Sequence, residues 1–444
     1  MAGKAWLAAN KMNDDARFLA ALHDLWPTAP GTKEQVFASR ELFRSLEFKA
    51  VGKTGPDSAE LWLFDPDQDG YVIATVKVRA DDPEKVAGIR VIPTADLPPG
   101  VAAQAPLTEP ALIAAVRDRA QVAAAAGRFD GAVLIARKGH VLFQHAYGLA
   151  DRAARKPDTV DTQFRFGSMG KMFTAVAIMQ LIEAGKVDPA APIGRYLPGY
   201  ANQDIATKVT VANLLTHTGG TGDIFGPEFD SHRAQLGEPA DYVALYQNRG
   251  PAFEPGSRTA YSNYGFMLLG RIVETVSGQS YDDYIAGHIF KPAGMTATGN
   301  LPETVPLPKR ATGYMTEGGK IVSADPTLPW SGTPAGGGYS TVGDFARFAD
   351  ALMANRLLDA PHTRLLTEGG FTGADGKFWR YDFGAAGGEG RRYYGHNGGA
   401  PGMNGDLRIF PAEPGHDAYT VVVLANRDPP VGSVLANFIS DRLP

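Results

Sequence analysis

The chain has 444 residues, room for two or three domains, with 44% hydrophobic and 20% charged residues, the balance of an ordinary soluble globular protein. A net charge of −5 argues against a nucleic-acid-binding surface, and no apolar run reaches the 18 residues of a membrane-spanning helix. The absence of cysteine excludes disulfides, thiolate metal sites and cysteine nucleophiles.

The first residues, Met1 to Lys11, are too short and interrupted an apolar stretch for a signal peptide. Residues 1–95 read as a small α+β accessory domain, with helices expected over 16–25 and 33–46. Strands are expected over 58–64, 70–78 and 88–93, and the unit resembles a truncated NTF2-like module. Residues 96–107, rich in Pro and Ala, form a linker, and 108–444 form the second domain. There a helix over 109–126 starts at Thr108 as N-cap, and 130–148 make a hairpin around Lys-Gly-His. Strands over 404–410 and 417–425 and a helix over 431–442 close the chain.

Between these ends lie three clusters that carry chemistry. Ser168 and Lys171 are three apart, which on a helix brings their Cβ atoms within about 5–6 Å, so an amine can take the proton of a hydroxyl. Residues 172–184 are apolar on nearly every side, predicting a buried helix that Gly185 ends. Ser168 then sits at a positive helix end, and Lys171 is partly desolvated beside it, which favours the neutral amine. In the second cluster, Tyr261-Ser262-Asn263 occupies a loop before an apolar helix starting at Gly265. Tyr261 can shuttle a proton as a phenolate stabilised by the ammonium, and Asn263 can bind a substrate carbonyl and the lysine. The third, Tyr394-Gly-His396-Asn-Gly398-Gly399, reads as a strand whose glycines admit another backbone. The N–H groups of Ser168 and Gly399 would make an oxyanion hole.

Ser168-x-x-Lys171, Tyr261-x-Asn263 and His396-x-Gly398 stand in the order found in the serine β-lactamase and penicillin-binding-protein superfamily. The chain most resembles its class C β-lactamase-like branch, which includes family VIII carboxylesterases and D-aminopeptidases. Leu214-Leu-Thr-His-Thr-Gly-Gly, Pro292-Ala-Gly-Met and Gly336-Gly-Gly-Tyr-Ser-Thr are similar to its signatures, and the likeness covers about residues 108–444. It implies an α+β, β-lactamase/transpeptidase-like fold: an antiparallel sheet flanked by helices, joining the early hairpin to the late strands, plus a mainly helical lobe over 160–380. It also implies a Ser168 acyl-enzyme, with Lys171 and Tyr261 sharing the proton, Asn263 and His396 positioning substrate, and no cofactor or metal. The partner is a small ester, amide or D-amino acid derivative. Members are often exported, which tilts the expected location to the periplasm or outside, with a cytoplasmic protein as the alternative.

One departure redirects the substrate. Typical β-lactamases and transpeptidases carry Lys-Thr-Gly where this chain has His396-Asn-Gly398, and histidine holds only part of a charge at neutral pH. A carboxylesterase is therefore expected ahead of a D-aminopeptidase, a DD-peptidase or a weak β-lactamase. A binder of peptidoglycan or acyl ligands that lacks catalysis is the reading from another class. Competing motifs fail: Phe166 removes any Gly-x-Ser-x-Gly at Ser168, and no His-Glu-x-x-His occurs. His217 reads as a hydrogen-bonded turn residue. Phe225, Trp330, Tyr339 and Tyr394 are expected to shape the pocket.

Overall fold

A computed structural model describes residues 1–30, 36–37, 39–40, 43–66, 70–94, 98–101, 105–317, 320–324, 331–383 and 391–444. They divide into two compact units: Met1–Leu112 with Met315–Val322 and Asn437–Pro444, and Ile113–Tyr314 with Ser323–Ala436.

In the first unit, α1 (Ala2–Asn10) and α2 (Asp15–Leu25) are followed by β1 (Glu47–Thr54), β2 (Ser58–Asp65), β3 (Gly70–Val78) and β4 (Val86–Thr94). The strands pair in sequence order as one antiparallel sheet. Asp14 caps α2, its carboxylate accepting from the Arg17 N–H at 2.8 Å. Trp6, Phe18 and Leu22 share a core with Leu61, Leu63, Ala74 and Val76. The sequence reading finds three strands where there are four. β1 is mostly exposed and lacks apolar alternation, so its pairing with β2, not its pattern, makes it a strand. Part of the helix expected over 33–46 lies outside the described residues; Val36, Phe37, Ser39, Arg40 and Phe43 are helical. The helix Glu109–Ala125 begins where the Thr108 carbonyl accepts from the Leu112 N–H at 2.8 Å.

The second unit begins at Ile113, within the helix Glu109–Ala125; it also holds β5 (Gly131–Arg137), β6 (His140–Tyr147), β7 (Phe164–Gly167) and α3 (Lys171–Glu183). Next come α4 (Asn263–Ser277), β8 (Gly337–Ser340) and α5 (Val342–Met353), and finally β9 (Tyr394–Ala400), β10 (Met403–Phe410) and β11 (Tyr419–Ala425). Five strands form an antiparallel sheet in the order β9-β10-β11-β5-β6, as expected of the early hairpin and late strands. Lys138 and Gly139, both at positive φ, make the tight turn whose twist suits a two-residue hairpin. β10 and β11 are buried at every position, so both faces of the sheet centre are covered, unlike a sheet with one wet face. β9 is an edge strand.

α3 is buried from Lys171 to Met179 and again at Leu181. Phe173 meets Phe290 and Phe348 edge-on at 5.0 and 5.1 Å and stacks on Phe345 at 5.8 Å, contacts each worth about 0.5–1.5 kcal/mol beyond burial. The Ser262 hydroxyl caps α4, accepting from the Gly265 N–H at 2.9 Å, and donates to the Gly222 carbonyl. Ser262→Ala should therefore destabilise the protein by about 1–2 kcal/mol. A lower denaturant midpoint at unchanged slope would show it, and an unmoved midpoint would contradict it.

Candidate active site

β7 leads through Gly167, at φ 53°, into a 3-10 turn over Ser168–Gly170, and α3 follows directly. Ser168 thus sits one turn ahead of the helix proper, which begins at Lys171, one residue earlier than the apolar pattern indicates. Lys171 is 1% exposed. Its Nζ lies 3.2 Å from Ser168 Oγ, 2.7 Å from Asn263 Oδ1 and 2.5 Å from the Ala335 carbonyl oxygen. The Ala335 carbonyl accepts only, and so does the Asn263 oxygen. A neutral amine has two hydrogens for these two partners, which leaves its lone pair for the Ser168 hydroxyl. Burial pushes Lys171 down to about 7, against the opposing pull of the Asp382 and Asp223 carboxylates.

Ala335 reaches the lysine because β8 pairs with β7, Gly337 opposite Gly167. A Cβ on Gly336, at φ 136°, would lie 2.3 Å from the Gly167 carbonyl oxygen, so the close approach needs glycine.

Asn263 is the first residue of α4, not part of a loop. Its main-chain N–H donates to Asp223 Oδ1 at 3.1 Å and its Nδ2 to Oδ2 at 3.3 Å, which turns Oδ1 toward Lys171. The Lys171 Nζ stands 4.8 Å from the Tyr261 ring centroid. The residue as a whole is half-exposed, but its hydroxyl end is enclosed. Burial, and then the Asp382 charge, push the phenol well above its ordinary 10. This corrects the expected phenolate: desolvation outweighs the attraction of an amine that is itself readily neutral.

β9 runs its bare backbone past the serine turn. A Cβ on Gly398 would lie 2.1 Å from the Phe166 carbonyl oxygen and 2.9 Å from the Ser168 nitrogen. The Gly399 nitrogen is 3.1 Å from where a Gly167 Cβ would stand. His396 places Nε2 2.8 Å from Asp382 Oδ2, and its Nδ1 meets the Asn397 carbonyl. His217 is a hydrogen-bonded turn residue, as read from sequence. It sits at φ 56°, its Nδ1 accepts from the Ser262 N–H at 3.1 Å, and its ring lies 4.4 Å from that of Tyr261.

The seven sequence candidates, Ser168 among them, therefore gather at one site. Asp382 and Asp223 were missed, since a lone aspartate in Tyr-Asp-Phe or Gly-Asp-Ile carries no spacing signal. Two of the expected pocket aromatics are instead buried: Tyr394 packs on Phe383 at 5.9 Å, and Tyr339 fills the space beside Gly299. Phe225 is exposed and leans on Phe229, and Trp330 lies outside the described residues.

A serine on a strand-to-helix turn, a buried lysine three residues on and a glycine-bearing edge strand alongside make a candidate active-serine site on an α+β, β-lactamase/transpeptidase-like scaffold. The family model described as Beta-lactamase matches residues 112–443, and the chain belongs to that family. It is 38% identical over 176 residues to penicillin-binding protein 4* of Bacillus subtilis, spanning 38% of each chain. It is 33% identical over 198 residues to esterase EstB of Burkholderia gladioli, spanning 41% of this chain and 50% of that one. The matches thus span half or less of these two relatives. The crystal structure of a penicillin-binding protein from Bacillus halodurans superposes with a TM-score of 0.62 at 29% identity, covering 74% of this chain and 98% of that one. No described helix is long and apolar enough to cross a membrane.

Proposed function

We propose that the protein is a serine hydrolase that forms an acyl-enzyme at Ser168 and acts first on carboxylic esters. The observation that carries this reading is the Lys171 amine: buried, and 3.2 Å from Ser168 Oγ with its hydrogens committed elsewhere. Lys171 takes the serine proton as Oγ attacks the ester carbonyl. The oxyanion rests on the N–H groups of Ser168 and Gly399. Tyr261, kept as a phenol, passes a proton to the departing alkoxide and recovers one from Lys171. Water then attacks the acyl group, giving its proton back through the same pair and releasing the acid. Asn263 holds the lysine and faces the substrate carbonyl. The name of the esterase relative supports an ester, and the occupied nitrogens of His396 count against a carboxylate-bearing substrate.

Labelling tests it. A fluorophosphonate should modify the folded protein once, on the peptide that carries Ser168, as read by mass spectrometry. Folded protein left unlabelled at Ser168 would overturn the assignment in favour of a binder without catalysis.

A further inference from the structure

Asp382 joins two of the motifs, and its neighbours decide which charges the site offers to a substrate. One carboxylate oxygen, Oδ2, lies 2.8 Å from His396 Nε2 and 3.1 Å from His217 Nε2. The two imidazoles are nearly buried and the aspartate is largely so. The main chain fixes this position, because the Asp382 N–H donates to the Leu215 carbonyl at 2.9 Å, two residues before His217. Burial alone would raise the Asp382 carboxyl, but the His396 and His217 imidazoles hold it well below the usual carboxylate range.

His396 meets Asp382 through one nitrogen and the Asn397 carbonyl through the other. Both ring nitrogens are occupied by these contacts, so neither is left for a substrate. A lysine at this place could aim a mobile ammonium at a carboxylate; a histidine clamped at both nitrogens cannot. The other basic side chain at the nucleophile, Lys171, is committed to Ser168, Asn263 and Ala335. A second carboxylate, Asp223, stands behind Asn263. The charges facing Ser168 therefore balance internally or lean negative.

We propose that Asp382 is the specificity-determining residue of this site: by clamping His396 and His217 together it withholds the third motif's cation and selects substrates with an uncharged leaving group. The inference rests on the serine hydrolase reading.

A matched pair of esters tests it: 3-acetoxybenzamide and 3-acetoxybenzoate, whose leaving phenols differ only in carboxamide against carboxylate. Rates are divided by those of spontaneous hydrolysis. The wild-type protein should favour the neutral ester by about tenfold in kcat/KM. Asp382→Asn should shrink that ratio severalfold, and Asp382→Glu should restore it. His396→Gln, which leaves the carboxylate without its nearest imidazole, should widen it. A wild-type preference for the carboxylate ester would overturn the proposal, as would a ratio that folded Asp382→Asn leaves unmoved. Should Asp382→Asn fail to fold, the wild-type ratio and the His396→Gln ratio still decide. If the wild type cleaves neither ester, or Ser168→Ala cleaves both, the hydrolase reading falls and this inference with it.

Discussion

Lys171→Ala is expected to lower kcat/KM for a neutral ester by about 10³–10⁴-fold, with Ser168→Ala costing at least as much. The two residues act as one unit, so the double variant should be scarcely worse than Ser168→Ala alone. The pH profile separates the lysine's role from simple loss of packing. Because burial places Lys171 at about 7, the neutral amine is the minority form below that pH and the majority form above it. Wild-type kcat/KM should rise with pH, pass half-maximum near 7, and level off. Below 7 the protonated amine points its third hydrogen at Ser168 Oγ and has no lone pair to accept with. Lys171→Arg should be inactive throughout, since guanidinium does not give up its proton in this range. Stability follows the same sign. The ordinary value of 10.5 is depressed in the folded state, so the penalty is absent above 10.5, grows as pH falls, and is complete below about 7. A rate that falls across pH 6–8, or a pH-dependent limb that survives in Lys171→Ala, would remove Lys171 as the base.

How far this site is legible in sequence depends on how local each feature is. Ser168 and Lys171 are one turn apart, and the apolar run behind them announces a buried helix, so their contact and the lowered lysine follow from short-range pattern. The hairpin of β5 and β6 and the strands β10 and β11 are legible for the same reason, as runs of apolar residues between turn signals. The pairing of β11 with β5 is not local, because Leu134 and Val422 meet only through the topology; resemblance to a family supplied it. Asp382 and Asp223 show the other limit. Each acts through a side chain brought from a distant segment, and nothing adjacent to either marks it as special. The Tyr261 protonation state failed for a related reason. The sequence shows an ammonium nearby, but the desolvation that keeps the phenol neutral comes from the packing around it.

The glycine at position 398 is where backbone shape and chemistry are hardest to separate, and Gly398→Ala should lower kcat about 10²–10³-fold while the protein still folds. The added Cβ would stand 2.1 Å from the Phe166 carbonyl oxygen and 2.9 Å from the Ser168 nitrogen, distances no real methyl group tolerates. Either the serine turn or β9 must give. The turn is held between β8, through Gly337 opposite Gly167, and the buried start of α3. β9 is paired along one edge only and is anchored there by Asn404, whose Nδ2 donates to the Gly398 carbonyl at 2.7 Å. The edge strand should therefore swing outward, carrying the Gly399 N–H away from the oxyanion position. A donor misplaced by about 1 Å loses most of its value to the transition state but little to ground-state binding, so KM should move far less than kcat. Labelling of Ser168 by a fluorophosphonate should slow in step with kcat, because that reaction uses the same donors. Gly287→Ala, where beyond the adjoining residues and its own helix backbone no atom lies within 4 Å of the new methyl group, serves as the comparison and should keep wild-type rates. A Gly398→Ala protein with kcat within twofold of wild type would mean that the β9 backbone does not hold the oxyanion, and the second donor would have to be sought elsewhere on the serine turn.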